Sequence, residues 1–172
     1  APKVENIDNL FNLCSNLTSI DLSKINSHSI KSMNNIFNNC TKLEKINFQN
    51  FDTSNVINMN KLFYGCANLI FIDVSNFNTT NVKNMNSMFL GCGKLKEINL
   101  INLDTSKVTD MALMFGECYD LISINFGNID TSLVNNMEKM FYNCEKLITL
   151  NLSHFVTNNV NDISYMFSGC KQ

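Results

Sequence analysis

Cysteine recurs at every twenty-sixth position without a miss, at Cys14, Cys40, Cys66, Cys92, Cys118, Cys144 and Cys170. A fixed period between about 20 and 50 residues marks a chain of stacked units, because one unit cannot bury its own apolar face. The spacing therefore predicts a solenoid, with one partial repeat over residues 1–13 and six full repeats over residues 14–169.

Counting each cysteine as position 0, the same positions are apolar in every repeat. Position 3 is always leucine, as in Leu43, Leu69 and Leu95, and position 6 is isoleucine or leucine. Position 8 holds Leu22, Phe48, Val74, Leu100, Phe126 and Leu152. Position 11 holds Ile25, Phe51, Phe77, Leu103, Ile129 and Phe155. Further on come valine or isoleucine at 16, methionine or isoleucine at 19, and an apolar residue then phenylalanine at 22 and 23, as in Met88-Phe89. The alternation at 6 and 8 is the mark of a strand with one buried face. Equivalent strands lie one period apart and run the same way, so they form a parallel sheet, with the rest of each repeat as the crossover. A right-handed crossover is expected.

Positions 16, 19, 22, 23 and 26 step by three and four, which is helical spacing. Thr53-Ser54, Thr79-Thr80, Thr105-Ser106 and Thr131-Ser132 precede it as candidate N-caps. Gly65, Gly91, Gly169, Asn39 and Asn143 follow it, where a left-handed C-cap residue belongs; Glu117 is the exception. The asparagine-rich, β-branched interior weakens a helix, so the expectation is a short helix of two to three turns, in part 3₁₀. The fold class expected is α/β: a right-handed solenoid whose coils are each one period long, with one parallel β-sheet face and short helices or 3₁₀ turns opposite.

Composition narrows the function classes. The net charge is −2, all 13 basic residues are lysine, and arginine is absent. Arginine forks are the preferred tool for phosphate and base edges, so no nucleic-acid partner is expected. No apolar run of about 18 residues occurs, so no direct membrane insertion is expected either. Asparagine is the commonest residue type, which suggests an AT-rich coding sequence. The chain opens at Ala1-Pro2 inside a repeat without a leader, and is expected to be a piece of a longer array or a mature form.

Leu69-x-x-Ile72-x-Val74 followed by Val82-x-x-Met85-x-x-Met88-Phe89-x-Gly91-Cys92 resembles the BspA-like leucine-rich repeats of bacterial and protist surface proteins. Phe51-Asp52-Thr53-Ser54-Asn55-Val56 and Ile129-Asp130-Thr131-Ser132-Leu133-Val134 match the Phe-Asp-Thr-Ser-x-Val form of that repeat almost letter for letter. The likeness covers the whole chain. It departs from ordinary leucine-rich repeats at position 11, apolar here and asparagine there, and Ser27-His28 replaces Thr-Ser in the first full repeat. The resemblance implies a non-enzymatic protein at the cell surface or secreted, used in adhesion or host interaction. It brings over no catalytic residue and no cofactor.

The residues themselves add candidate sites. The cysteine column reads as a ladder of small buried thiols; zinc sites want close pairs such as Cys-x-x-Cys, and none occurs. His28 and His154 stand alone, so no catalytic set assembles and no metal is expected. Position 7 holds only Asp or Asn, a polar ladder on the open sheet face. Around the strand, residues vary from coil to coil, and there Ile70, Phe71, Ile101, Ile122 and Ile148 are apolar where other repeats are polar. Together with Asp73, Lys96, Glu97, Asn99 and Asn125 they form the candidate binding face for a protein or other cell-surface or matrix macromolecule. The alternative is a passive spacer that displays another domain.

Overall fold

The computed structural model describes residues 3–172, so Ala1 and Pro2, where the expected truncation falls, lie outside the described residues. Each period closes one coil, and the coils sit in parallel register. Asn6, Ser32, Asn58, Asn84, Asp110, Asn136 and Asp162 form one unbroken line of parallel bridges from the first coil to the last.

The strands fall where the alternation places them: β1 (Ser19–Asp21), β2 (Lys45–Asn47), β3 (Glu97–Asn99) and β4 (Ser123–Asn125). In register, Ile20 lies beside Ile46, and Ile98 beside Ile124. The single expected sheet is instead two two-stranded sheets, β1–β2 and β3–β4. The rung between them, residues 69–74, pairs with neither. Its one inter-coil backbone hydrogen bond among the described residues is a long one, Lys96 N–H to Ile70 O at 3.4 Å. This is the coil with two bulky apolar residues, Ile70 and Phe71, at positions 4 and 5.

The expected helices are absent among the described residues. Positions 19 to 25 form overlapping tight turns, with Leu62 N–H donating to Met59 O at 3.2 Å and Cys66 N–H to Phe63 O at 3.1 Å. Such turns put residues three apart on one side, as a helix does, which is why the spacing misleads. Two left-handed residues per coil stop helix propagation. One is position 25, held by Asn39, Gly65, Gly91, Glu117, Asn143 and Gly169, so Glu117 (φ 57°) conforms after all. The other is position 21, held by Asn35, Lys61, Ser87, Leu113, Lys139 and Tyr165. For a residue with a Cβ this conformation costs about 1–2 kcal/mol. It is offset because the backbone then aims alternate N–H groups along the axis. Met59, Lys61, Phe63 and Gly65 donate to the carbonyls of Asn84, Asn86, Met88 and Leu90 in the next coil, at 2.7–3.1 Å.

The threonines are not N-caps either. Thr53, Thr79, Thr105 and Thr131 are buried, and each hydroxyl donates to a backbone carbonyl of the next coil at 2.8–3.0 Å. The corners are Asx turns, in which a side-chain oxygen accepts from the amide two residues on. Asp52 accepts from Ser54, Asn58 from Asn60, Asn84 from Asn86 and Asp130 from Ser132, at 2.8–2.9 Å. Asparagines such as Asn58 and Asn84 thus have a structural role that aspartate fills elsewhere.

The apolar columns fill the interior. Phe11, Phe37, Phe63, Phe89, Phe115, Phe141 and Phe167 stack ring on ring at 5.4–5.9 Å between centroids. Phe48 and Phe126 meet this stack edge-on at 6.1–6.3 Å. Each buried ring contributes on the order of 1.5–3 kcal/mol by leaving water. Ile25, Ile163 and Phe167 belong to the same columns but are exposed, as no described residue stacks on their outer side. Phe63 and Phe89, next to the unpaired rung, are tilted by 18° to each other, against 1–6° for the other stacked pairs.

Amide hydrogen exchange tests this parting. The Leu22 and Leu100 amides donate across coils at 2.9 and 2.8 Å, whereas their counterpart Val74 has no such partner. Val74 is expected to exchange at least about tenfold faster than both; equal protection of the three would contradict the break.

Candidate functional site

All ten residues of the expected binding face are exposed. Ile70, Phe71 and Asp73 lie on the unpaired rung; Lys96 immediately precedes β3, Glu97 and Asn99 lie on it, and Ile101 follows. Ile122 precedes β4 and Asn125 ends it. Ile148 lies one coil further, beside the bridge between Ser123 and Thr149. Ile122 N–H donates to Lys96 O at 2.8 Å and Ile148 N–H to Ile122 O at 3.2 Å, so position 4 repeats on consecutive rungs. The backbone thus brings Ile122 and Ile148 together and sets Lys96 between them and Ile70. Phe71, 66% exposed, is the most exposed aromatic side chain on this face. Ile101 stays uncovered because the next coil has Gly127 (φ +58°), where a Cβ would stand 2.8 Å from the Ile101 Cα.

The position-7 residues form turns more than a ladder. Asp73 accepts from Ser75 N–H at 2.9 Å, Asn99 from Ile101 and Asn125 from Gly127 at 3.2 Å. Among the described residues only Asn47 reaches its neighbour, donating to Asp21 at 3.1 Å. The hydroxyl and amide of Ser75 hold the Asp73 carboxyl below its ordinary range, so it is ionised at neutral pH. His28 pairs with Asp52 at 2.7 Å, and that hydrogen bond is the largest cause of the Asp52 carboxyl's fall to about 2.

Sequence reasoning missed two recesses. One is a trough of about 360 Å³ at the parted sheet, lined by Asn47, Gln49, Asp73 and Asn76 with Ile46 and Phe48 beneath. The other, of about 480 Å³, lies on a lateral face among Lys31, Lys83, Lys107, Asn55, Asn81 and Ile57. The variability at position 9, where Gln49 stands, was a signal for the first; the gap that opens it left no trace in the residue pattern.

The cysteine column faces inward. Cys40, Cys66, Cys92, Cys118 and Cys144 are buried, Cys14 is exposed, and all seven are free thiols. Cys66 Sγ donates to Phe37 O, Cys92 to Phe63 O and Cys118 to Phe89 O, each at 3.2 Å. A small residue with a donor suits this corner, and oxidation to a disulfide would remove the donor. Burial pushes the Cys40 thiol up to about 11 and Cys144 to about 12, and raises Cys66, Cys92 and Cys118 further. No group of three metal-ligating side chains occurs among the described residues.

The family model described as "Mycoplasma protein of unknown function, DUF285" matches residues 1–92 and 67–172. A leucine-rich repeat protein from Eubacterium ventriosum superposes with a TM-score of 0.54 at 16% identity, over 91% of this chain and 44% of that one. The T. pallidum leucine-rich repeat protein gives 0.46 at 18% identity, over 86% and 72%. A leucine-rich cell surface protein from Faecalibacterium prausnitzii gives 0.46 at 19%, over 74% and 35%. The chain therefore spans less than half the length of two of these three structures. The first likeness shows the fold alone. No curated protein matches the chain.

The thiols make alkaline stability a test. Their folded values lie above the ordinary 9.0, so below about 9 the protonated thiols leave stability intact. As pH rises from about 9 towards about 12, the unfolded chain loses thiol protons that the folded chain retains, and stability falls. The urea midpoint is expected to drop across this window, and less steeply in Cys92→Ala; a wild-type and variant decline of equal slope would contradict the inward thiols.

Proposed function

The chain belongs to the DUF285 family and has the leucine-rich-repeat fold that its BspA-like repeats imply, and from that premise we propose that it is a non-enzymatic binding module at the cell surface. It contacts a macromolecular partner through the strand face. The observation that carries this is the position of Ile70 and Phe71: two large apolar side chains, 52% and 66% exposed, on one rung of a scaffold whose stacked phenylalanines from Phe37 to Phe141 are buried. Exposed apolar residues grouped together mark contact surfaces. Ile122 and Ile148 form a second apolar pair beyond Lys96, Ile101 adds a further exposed apolar residue, and Lys96, Glu97, Asn99 and Asn125 place polar groups among them. Apolar side chains interleaved with polar ones are ordinary in an interface.

No catalytic family is indicated by the comparisons, and a row of stacked coils spreads titratable groups along a line without converging them. The surface location is supported by the resemblance of the repeats to those of BspA-like surface proteins.

The test pairs the chain with Ile70→Ala/Phe71→Ala and, as a control on another face, Ile57→Ala. All three are checked for folding by circular dichroism and presented to immobilised cell-surface and matrix proteins. Binding to a defined partner is expected to fall by about tenfold or more in the double variant and to persist in Ile57→Ala. Unchanged binding in the folded double variant would contradict the strand-face site, and binding to no partner would favour a spacer.

A further inference from the structure

The charges around Ile70 and Phe71 form a checkerboard. Position 4 runs Glu44, Ile70, Lys96 on consecutive coils, and position 5 runs Lys45, Phe71, Glu97. The sign therefore alternates along the chain, and it alternates again from one side of the apolar pair to the other. The bridges from Asn58 to Asn84 to Asp110 keep the three coils in order. Lys45 opens β2 and Glu97 opens β3, two sheet spacings or about 10 Å apart, with the rung of Ile70 and Phe71 between them. All six residues are exposed. The ion pairs among the described residues lie elsewhere, and Glu44, Lys45, Lys96 and Glu97 take part in none of them.

A checkerboard of this kind is its own complement. Turned over about a two-fold axis in the plane of the face, each negative corner falls on a positive one. Two such axes exist. With the axis along the solenoid, between positions 4 and 5, Glu44 meets Lys45 of a second copy, Lys96 meets its Glu97, and Ile70 meets its Phe71. With the axis along the rung, Glu44 would meet Lys96 and Lys45 would meet Glu97, but every residue of that rung would face its own counterpart. Asp73, which is ionised, would then face Asp73, and like charges set against each other cost affinity. The axis along the solenoid avoids this contact. A two-fold interface between identical chains requires a patch that complements itself. The apolar pair supplies the centre that leaves water, and the four charges fix the register.

We propose that the Ile70–Phe71 patch, framed by Glu44, Lys45, Lys96 and Glu97, docks on the same patch of a second copy of this chain about a two-fold axis parallel to the solenoid. This rests on the strand-face reading and names its partner.

Sedimentation equilibrium of the chain is expected to show a monomer–dimer equilibrium with Kd below about 1 mM at low salt, weakening as salt rises. Glu44→Lys sets a lysine against Lys45 and should weaken dimerisation about tenfold or more. Glu44→Lys/Lys45→Glu restores opposite signs at that contact and should recover it to within about threefold of wild type, whereas Glu44→Lys/Lys96→Glu should not. Circular dichroism checks the fold of each variant. A chain that stays monomeric, or a dimer indifferent to Glu44→Lys, would overturn the proposal, and recovery by Glu44→Lys/Lys96→Glu would overturn its axis. A monomeric chain whose binding to a cell-surface or matrix protein is lost in Ile70→Ala/Phe71→Ala would overturn the second copy alone and leave the strand-face reading in place.

Discussion

The hydrogen bond from a backbone amide of one coil to a carbonyl of the next is the constraint under which the rest of the chain is arranged. Met59 to Asn84, Lys61 to Asn86, Phe63 to Met88 and Gly65 to Leu90 form four such bonds at one interface, and the pattern recurs from coil to coil. Buried amides and carbonyls must be paired. A helix would pair them within the coil; here they are paired between coils, so no coil satisfies its own backbone. The left-handed residues at Lys61 and Gly65 are the local cost of aiming the amides outward. The thiol bonds, the threonine bonds and the phenylalanine stack follow the same axis, and each joins a residue to its counterpart's neighbourhood one repeat away.

Inward positions are therefore not free to vary. A larger residue in place of Cys92 would press into Phe63 O, and a residue without a hydroxyl in place of Thr105 would strand the amide of Asp130, which donates to the Thr105 oxygen at 2.9 Å. Outward positions 4, 5 and 9 touch solvent, so their chemistry can change from coil to coil without disturbing the stack. A repeat scaffold thus separates folding from recognition, and the outward residues hold what a partner can read. Only at the rung of Ile70 and Phe71 do the two meet, where the sheet opens beside the most prominent apolar pair.

Much of this was legible in the residues. The cysteine spacing determines the coil length, the alternation at Ile98 and Leu100 locates the strand, and the columns from Leu69 to Phe89 name the core. The helices were misread because overlapping turns bring Met59, Leu62, Phe63 and Cys66 to one side as a helix does, and no apolar pattern separates the two. The separating signal was polar: Asn60, Asn86 and the left-handed Asn35 and Asn39 are poor helix formers and good turn formers. The outward residues could be recognised because Ile70 and Phe71 interrupt polar columns. The trough could not, since Gln49 and Asn76 line it from two different coils, and the residue pattern does not give the space between coils.

Scalar couplings across hydrogen bonds, measured by NMR on the labelled chain, address the coil-to-coil pairing most directly. The account predicts couplings from the amide nitrogens of Met59, Phe63 and Gly65 to the carbonyl carbons of Asn84, Met88 and Leu90, whose donor–acceptor distances are 3.1, 2.9 and 2.7 Å. Couplings from Phe63 and Gly65 to carbonyls one helical turn earlier in their own coil would show a helix instead, and would contradict it.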